Sequence, residues 1–365
     1  MCIFPENGNI EDSVLFLAES MKACTERLII AINGKIGKDI EKVHPISSEI
    51  IFRDNVGYDG GAYKDVILQL YNRDELLDYD ELILVNDSFW GPLFPFGEMF
   101  GCMEKEVVDF WGITRSEAGI ILDYEYPQHI QGYFLAIRKK VFIEDRCFRD
   151  FWEKFEYPRN YYEAVIHYEI GISKWMNDRG FVSSSYMDLQ GADSLVKKNR
   201  NVYLDCFDEL VTKYRCPILK KKAVGILTYH RYLSLLEHLA DYSDYCIQDI
   251  IHEVESRDKD GKLGPYKLAE LRDFCLSHKK IYVYGYGKYG KAVGKIICRF
   301  CDKFSYIVSD LNTSENSPKV IEWEKVTIDT DDGIIIAVGE KLVGEILETV
   351  LGKIDISNVL IPKYQ

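Results

Sequence analysis

Three features are scarce in this sequence, and each absence argues against a class of protein. No hydrophobic run approaches the roughly 18 residues that a membrane-spanning helix needs. No long basic tract is present and the formal net charge is -14, which argues against binding to nucleic acid. The ten cysteines contain one C-x-x-C motif, at Cys298 and Cys301, without the second pair or histidine cluster that a zinc site requires.

These absences predict a cytoplasmic protein with reduced thiols. No signal peptide is recognised in the sequence, and thiols stay reduced in the cytosol. Two short basic clusters, at 138–140 and 220–222, are more typical of solvated faces than of binding sites. The length of 365 residues is sufficient for two domains.

The order of predicted elements indicates an α/β protein. Apolar runs predict strands at 2–4, 28–32, 50–52 and 81–85, and an amphipathic pattern predicts a helix over 10–24. Alternation of strands and helices is typical of a Rossmann-like sheet flanked by helices.

The stretch 81–93, ELILVNDSFWGPL, is the feature around which the rest of the chain is organised. Its apolar run predicts a strand buried on both faces, as in a parallel sheet. The polar residues Asn86, Asp87 and Ser88 follow at the carboxyl end, where open α/β sheets bind their ligands. Asp87 is therefore well placed to hold a sugar, a phosphate or a divalent cation. The alternative is an Asx turn that closes the strand.

A second polar loop, RDNVGYDGGAY at 53–63, follows the third predicted strand and opens a helix over 63–71. Backbone N–H groups at the start of a helix favour an anionic ligand, and glycines let a ligand approach the backbone closely. Arg53 has the charge to pair with a phosphate. The alternative is a tight turn with Asp59 as the N-cap. We expect this loop and the Asn86-Asp87-Ser88 turn to follow neighbouring strands at their carboxyl ends and to form one site at the same sheet edge.

Further elements complete this part of the chain. Strands are predicted over 107–113 and 129–138, and helices over 141–155 and 161–178. His167 and Glu169 lie two positions apart in the last helix and do not share a face, so one of them is expected to point inward.

The C-terminal part carries a second βαβ pattern after helices predicted over 226–278. Strands are predicted at 280–284, 304–308, 333–338 and 359–361. Gly285, Gly287 and Gly290 form a G-x-G-x-x-G motif between the first of these strands and a helix, and Asp310 follows where an acid that binds ribose is expected. This pattern predicts a second nucleotide or sugar-nucleotide site, and a structural or assembly role is the alternative.

Six sequence blocks together resemble the rhamnan synthesis protein F family of glycosyltransferases. The blocks are RDNVGYDGGAY at 53–63, VNDSFWGPL at 85–93, DFWGIT at 109–114, HIQGYFLA at 129–136, the helix around Glu169, and CPILKK at 216–221. Their order and spacing match over roughly residues 1–225. The resemblance implies a cytosolic enzyme of surface-polysaccharide assembly. It also implies similarity to the GT-A class of enzymes, which use a nucleoside-diphosphate sugar and usually a divalent cation.

The resemblance over 1–225 and the pattern of the C-terminal part together predict three regions with different roles. A GT-A-like glycosyltransferase domain, with a mixed sheet flanked by helices, is expected at 1–225. A helical linker is expected at 226–277, and a small Rossmann-like domain of the nucleotide-binding type at 278–365.

The donor side of the implied site lies in the two polar loops. The residues expected to bind the donor are Arg53, Asn55, Gly57, Asp59, Asn86, Asp87 and Ser88. The turn at 86–88 occupies the position of the Asp-x-Asp motif of GT-A enzymes, but Asp87 is its single carboxylate. Binding of Mg²⁺ or Mn²⁺ would therefore use Asp87 together with the donor phosphates.

The acceptor side and the catalytic base are also implied by the resemblance. Gln131, Trp111 and His129 are expected near the acceptor sugar. An inverting enzyme needs one general base for the acceptor hydroxyl. Glu169 is the first candidate for that base, Asp109 the second, and a neutral His129 the third.

The expected partners follow from this chemistry. A nucleoside-diphosphate sugar would donate rhamnose or another hexose to a glycan or a lipid-linked acceptor, and a lipid-linked acceptor would bring the enzyme to the inner face of the membrane. Peripheral membrane contact and homo-oligomerisation stay open, and neither nucleic acid nor NAD(P) is expected. Two alternatives remain at this point: an NAD(P)- or sugar-nucleotide-binding enzyme driven by the C-terminal motif, and a non-catalytic scaffold of polysaccharide assembly.

Overall fold

The computed structural model describes residues 1–5, 8–121, 124–188, 206–224, 229–257, 268–297, 301, 304–308 and 320–362. The chain divides into two compact units, Met1–Ala223 and Val224–Gln365. Both units combine helices with sheets, so the predicted mixed α/β class is confirmed.

The strands of the first unit are two to five residues long. In chain order they are β1 (Cys2–Ile3), β2 (Ile29–Asn33), β3 (Glu49–Arg53), β4 (Glu81–Val85), β5 (Phe89–Trp90), β6 (Phe110–Gly112), β7 (Arg115–Ser116), β8 (Gly119–Ile121), β9 (Tyr124–Tyr126), β10 (His129–Ile130), β11 (Phe134–Arg138), β12 (Ser183–Ser185) and β13 (Leu219–Lys220).

Two sheets of this unit meet between β1 and β4. A parallel sheet has the order β1-β2-β3, and a mixed sheet has the order β12-β6-β11-β4. A parallel bridge between Cys2 and Asn86 joins their edges. In the combined order β3-β2-β1-β4, strands β2 and β3 follow on one side of β1, and β4 follows on the other side. Such a switch point is where open α/β sheets leave a crevice for a ligand.

The direction of the strands decides which residues share an edge of the sheet. Strand β11 is antiparallel to both β4 and β6, so β4 and β6 run in the same direction. Residues that follow β4 and residues that precede β6 therefore lie at opposite ends of the strands. The prediction that 81–85 is buried as in a parallel sheet was wrong in two respects: β4 pairs with an antiparallel strand, and Glu81 to Ile83 are partly exposed.

The helices of the first unit flank these sheets. They are α1 (Asp12–Cys24), α2 (Ile40–Val43), α3 (Tyr58–Asn72), α4 (Phe96–Met103), α5 (Cys147–Lys154), α6 (Tyr161–Ala164) and α7 (Gly171–Asn177), followed by helices at Phe207–Tyr214 and Lys221–Val224. Segments Lys140–Glu144 and Val165–Ile170 are π-helical. The second of these joins α6 to α7, so the helix predicted over 161–178 is continuous but contains a π-helical turn.

Apolar spacing in the sequence accounts for the packing of the helices. In α1, Val14, Leu17, Ala18 and Met21 recur at three- and four-residue intervals and are all buried. Burying one large apolar side chain contributes about 1.5–3 kcal/mol, so such a face is enough to dock a helix.

One predicted strand, 129–138, is divided in two. Strands β10 and β11 are separated by residues 131–133, whose backbone makes other contacts. The Gln131 N–H donates to the Thr114 carbonyl, and the Gly132 N–H donates to the Glu169 carboxylate at 2.8 Å. These bonds replace the ladder of a continuous strand and turn the backbone at 131–133 toward the helix that carries Glu169.

The second unit contains a parallel sheet. Its strands are β14 (Lys280–Tyr284), β15 (Phe304–Val308), β16 (Val320–Glu322), β17 (Asp332–Ile336) and β18 (Val359–Leu360), in the order β16-β15-β14-β17-β18. Its helices are Tyr229–Tyr242, Ile247–Arg257, Leu268–Ser277, Lys288–Ile297 and Glu340–Leu351, with 3-10 turns at Trp323–Lys325 and Ile356–Asn358. The buried runs in β14 and β17 are typical of parallel strands covered on both faces.

Within the parts of the chain that the structure describes, no helix combines the length and the apolar character needed to cross a membrane.

Candidate functional site

The polar residues that follow β4 lie at the switch point between β1 and β4. The backbone N–H of Phe4, which follows β1, donates to Asp87 Oδ2 at 2.8 Å. Burial raises the pKa of Asp87 to about 6, although the Phe4 N–H and the charge of Lys221 lower it. Asp87 therefore lies where the strand order predicts a ligand, with its ionised form less favoured than in water.

Asn86 and Ser88 make a compact turn around Asp87. Asn86 Oδ1 accepts hydrogen bonds from the Ser88 backbone N–H at 3.1 Å and from Ser88 Oγ at 2.7 Å. This is the Asx turn considered from the sequence. The Asn86 amide nitrogen takes no part in this turn and donates to Asp59, so an Asx turn and a ligand site are compatible here.

The glycine-rich loop reaches this turn through Asp59, the second residue of α3. Asp59 Oδ2 accepts from Asn86 Nδ2 at 2.8 Å, and Oδ1 accepts from the Gly60 N–H at 2.9 Å. Burial raises the pKa of Asp59 despite these two donors. The loops were expected on neighbouring strands, but β2 and β1 lie between β3 and β4. They meet because α3 begins by crossing back over the sheet edge.

Arg53 holds the glycine-rich loop in place. Its Nε donates to Asp65 Oδ2 at 2.9 Å, and one terminal nitrogen donates to the Val56 carbonyl at 2.7 Å. The other terminal nitrogen donates to Asn33, whose amide in turn donates to Asn55 Oδ1 at 2.8 Å. The guanidinium is thus committed to protein partners. Asn33 is buried at the end of β2, and sequence reasoning missed it.

Gly57 is required by the shape of this loop. Its φ of 78° lies in the left-handed region, and a Cβ built there would be 2.6 Å from Cδ1 of Tyr157. Both facts favour glycine and disfavour every other residue. Its role in the structure is to let the chain turn into α3 and present Asp59.

Glu169 lies at the same edge, on the π-helical turn before α7. Its Oε2 accepts from the Gly132 N–H at 2.8 Å, and its Oε1 lies 3.4 Å from His129 Nε2. Burial raises the pKa of Glu169, but the hydrogen bond from His129 and the charge of Lys220 outweigh burial, so the pKa is below its ordinary value. Glu169 is therefore ionised at neutral pH.

His129 is buried behind Glu169. Its Nδ1 lies 3.0 Å from the Pro127 carbonyl, which can only accept, so this contact requires the proton on Nδ1. Its Nε2 faces the Glu169 carboxylate. Both ring nitrogens thus face protein acceptors, and the imidazole orients Glu169.

Gln131 belongs to a neighbouring buried network. Its Oε1 accepts from Thr114 Oγ1 at 2.6 Å, and that hydroxyl also bonds to the Tyr133 phenol. The Tyr133 carbonyl accepts from the Asn86 N–H at 3.1 Å. Gln131 therefore supports the turn at 86–88 through Tyr133.

Two of the predicted residues do not lie at this edge. Asp109 precedes β6 and accepts from Lys140 Nζ at 2.8 Å and from the Val182 N–H at 2.9 Å. Trp111 is 1 % exposed in the middle of β6, and its indole N–H donates to Glu81 at the start of β4. Because β4 and β6 run in the same direction, both residues lie away from Asp87.

Sequence reasoning favoured a solvated face for 220–222; this holds for the exposed Lys222, but the structure corrects it for Lys220 and Lys221. Lys221 is only 8 % exposed at its side chain and pairs with Glu11 at 2.7 Å. Lys220 Nζ lies 4.5 Å from the Tyr133 ring centroid. Burial lowers the pKa of Lys220, and the negative charges of Glu169 and Asp59 act against that shift. The resemblance of the CPILKK block could have indicated that these lysines belong near the site. Strand β13 lies in that block and pairs with β5, which begins directly after Ser88.

The turn at 86–88 does not by itself fit a divalent cation. A hard cation needs several oxygen ligands, and Mg²⁺ demands a near-octahedral set. Asp87 gives one carboxylate, which already accepts the Phe4 N–H, while the oxygens of Asn86 and Ser88 are bonded within the turn. In the described part of the chain, no three His, Cys, Asp or Glu side chains come together as a metal-binding group.

The glycine motif of the second unit forms a tight turn. Gly285 has a φ of 120°, and a Cβ at Gly290 would be 1.9 Å from the Gly285 carbonyl oxygen. A Cβ at Gly287 would meet no heavy atom within 4 Å, so the backbone there is open. Asp310, the predicted ribose-binding acid, and Cys298 lie outside the described residues.

Comparison with known proteins agrees with the resemblance noted in the sequence. Residues 28–288 match the family described as rhamnan synthesis protein F, so the match continues past residue 225, where the likeness was expected to end. The chain is also 24% identical over 204 residues to a protein of Sinorhizobium fredii described as uncharacterized protein y4gN. That alignment covers 55% of this chain and 50% of the relative, so the chain spans about half the length of the curated relative it matches. The family match covers most of the chain, and the protein belongs to the rhamnan synthesis protein F family.

Proposed function

We propose that the first unit is a glycosyltransferase of polysaccharide synthesis that uses a nucleoside-diphosphate sugar. The observation that carries the proposal is the convergence of Asp59, Asp87 and Glu169, with the ammonium of Lys220, at the switch point of the sheet. Membership of the family supports the pathway, and the chemistry of the edge supports the reaction.

The donor is assigned to the side of the turn at 86–88. Asp59 and Asp87 present oxygens that accept sugar hydroxyls, and Asn86 fixes Asp59 in place. Gly57 and Arg53 contribute by shaping the loop, and Asn55 lies exposed on it. The rhamnosyl or other hexosyl identity of the donor is part of the proposal and is tested with a donor panel.

Glu169 is the proposed general base. It is ionised at neutral pH, partly exposed, and held by Gly132 and His129 so that its oxygens keep one orientation. His129 is less suited, because both ring nitrogens face protein acceptors. Asp109 is less suited, because it is ion-paired at the opposite edge. A single base of this kind fits a GT-A-like, inverting displacement.

The remaining parts of the proposal concern cofactor and acceptor. The predicted Mg²⁺ or Mn²⁺ would need the donor phosphates to supply most of its ligands beside Asp87, and the donor panel with and without these ions tests whether the reaction needs one. The acceptor is proposed to be a glycan or a lipid-linked glycan, which Trp111 would influence only through packing. Contact with a membrane surface and self-association are left to experiment.

The test is release of nucleoside diphosphate from a panel of UDP-, dTDP- and GDP-sugars, with and without Mg²⁺ or Mn²⁺. We expect release from at least one donor and its loss in Asp87→Ala. The matched control is Asp178→Ala, an exposed aspartate that is ion-paired with Lys174. Full activity in Asp87→Ala would make the donor-site assignment wrong, and no release from any donor would contradict the proposed reaction.

A second candidate function concerns the second unit. The tight Gly285–Gly290 turn and the open backbone at Gly287 favour binding of a nucleotide diphosphate group after β14. Calorimetry with NAD⁺, NADP⁺ and nucleoside-diphosphate sugars tests this. We expect a sugar nucleotide rather than a nicotinamide cofactor to bind, with loss in Gly287→Val and no loss in Gly344→Val, an exposed helix position that also meets no heavy atom within 4 Å. Equal binding in both variants would favour a structural role for the turn.

A further inference from the structure

Lys220 differs from the other cations near the turn at 86–88. Arg53 is bonded to Asp65, Asn33 and Val56, and Lys221 is paired with Glu11. The ammonium of Lys220, in contrast, makes no hydrogen bond or ion pair with the described residues. It makes a cation–π contact with the ring of Tyr133. A partly buried ammonium without an anionic partner is costly unless an anion arrives.

The fold holds Lys220 beside the donor turn. Lys220 pairs with Phe89 across β13 and β5, so it lies on the strand adjacent to the residue that follows Ser88. Phe89 and Lys220 both contact Tyr133, with the Phe89 ring centroid 5.5 Å from that of Tyr133. The Tyr133 carbonyl accepts the Asn86 N–H. Strand pairing and Tyr133 together fix the ammonium at the turn.

The charges around Lys220 leave room for an anionic ligand. Asp59 and Glu169 are close enough for their charges to influence Lys220, yet neither lies within 4 Å of its ammonium. Displacement at the anomeric carbon of a donor sugar breaks the bond to the diphosphate oxygen, and the electron pair leaves with that oxygen. A fixed cation at that oxygen stabilises the charge as it forms.

We propose that Lys220 binds the diphosphate of the donor and stabilises it as the leaving group without a divalent cation. This inference rests on the proposed glycosyltransferase function. It follows from an ammonium without a partner beside a turn that offers a single carboxylate. Lysine is a compact point charge suited to a phosphate oxygen.

The test is calorimetric titration of UDP, dTDP and GDP, and of the matching monophosphates, in EDTA. Wild-type protein is expected to bind one diphosphate equally well in EDTA and in Mg²⁺. Lys220→Met is expected to weaken that diphosphate at least about tenfold, the loss of one charge-assisted hydrogen bond, and to change the monophosphate less than about twofold. Lys220→Arg is expected to recover most of the affinity.

The control variant is Lys213→Met, an exposed lysine paired with Glu209. Diphosphate binding that EDTA abolishes, or that Lys220→Met retains, would overturn the inference while leaving the glycosyltransferase proposal standing. A proportionate loss of monophosphate binding in Lys220→Met would assign Lys220 a structural role and would also overturn it. Wild-type protein that binds none of the diphosphates would contradict the proposed function itself, and this inference with it.

Discussion

The mixed sheet carries one aspartate at each end of its strands, and the pKa values of the two are shifted in opposite directions. Asp87 follows β4, accepts one backbone N–H from Phe4, and has a raised pKa. Asp109 precedes β6, accepts from Lys140 and from the Val182 N–H, and has a lowered pKa because these partners outweigh burial. Position beside a strand is therefore a poor guide to the role of an acidic residue.

The opposite pKa shifts favour the Asp87 end of the strands, rather than the Asp109 end, as the ligand site. The Asp109 carboxylate already accepts from the Lys140 ammonium and from the Val182 N–H, so it stabilises the fold. Near Asp87, the Lys220 ammonium has no ion-pair partner among the described residues, and the proposed diphosphate would supply one. Carboxylates with perturbed pKa values in a cleft at a switch point are candidates for function on physical grounds.

The largest expected effect is that of Glu169→Gln on turnover. The amide still accepts the Gly132 N–H but cannot remove a proton, so the rate of transfer should fall by about 10²- to 10⁴-fold. The measurement is the rate of transfer, with thermal unfolding to verify the fold. The control is Glu156→Gln, an exposed glutamate. A variant with wild-type turnover would remove Glu169 as the base.

Asp87→Asn should lower activity and raise stability. Because the folded pKa is raised from 3.8 to about 6, the protonated form is the one favoured by folding, and this contribution to stability is lost as pH rises through about 6. At pH 7.5 the variant should gain up to about 3 kcal/mol in free energy of unfolding. Urea denaturation at pH 7.5 and at pH 3.5 measures this, and the gain should vanish at the lower pH. Destabilisation of the variant at pH 7.5 would contradict the raised pKa of Asp87.

Asp109→Asn should do the reverse. The lowered pKa of Asp109 contributes stability that is present above its ordinary value of 3.8 and is lost as pH falls through the folded pKa. The Lys140 ammonium and the Val182 N–H donate to different carboxylate oxygens, and asparagine replaces one of these with an NH₂ group that cannot accept, so the free energy of unfolding should fall by about 1–3 kcal/mol at pH 7. Diphosphate affinity, measured by calorimetry, should stay within twofold. A selective loss of diphosphate affinity would move the site to this edge.

The smallest expected effect is that of Lys140→Met. The lysine side chain is 57% exposed, so its ion pair with Asp109 should contribute less than about 1 kcal/mol and should weaken with added salt. Urea denaturation at low and high salt tests this. A loss as large as that of Asp109→Asn would mean that Lys140, rather than the Val182 N–H, stabilises Asp109.

Much of the fold could be predicted because local patterns determine it. The apolar runs at 28–32, 81–85 and 280–284 lie within a residue of β2, β4 and β14. Strand direction was not predictable in the same way, since the position of β11 between β4 and β6 depends on pairings between distant residues. The break between β10 and β11 was also hidden, because it results from bonds to Thr114 and Glu169.

The site was predictable to the extent that its residues are adjacent in sequence. Asn86, Asp87 and Ser88 follow one strand, and the structure brings Asp59 and Glu169 to the same edge. Lys220 escaped prediction because a run of three lysines is usually solvated, and only the pairing of β13 with β5 buries it. Asp109 and Trp111 were grouped with the site because the DFWGIT block belongs to the family resemblance, whereas strand direction separates them from Asp87.

The pairing of β13 with β5 has a consequence for the order in which the first unit folds. Leu219 and Lys220 pair with residues about 130 positions earlier, and the Leu93 N–H donates to the Pro217 carbonyl at 2.7 Å. Contacts of such long sequence separation form late, because they require a long loop to close. On the ribosome, the turn at Asp87 would therefore lack the Lys220 ammonium beside it until nearly all of the unit had been synthesised. Fragments that end before Leu219 would lack that cation even if the sheet had formed.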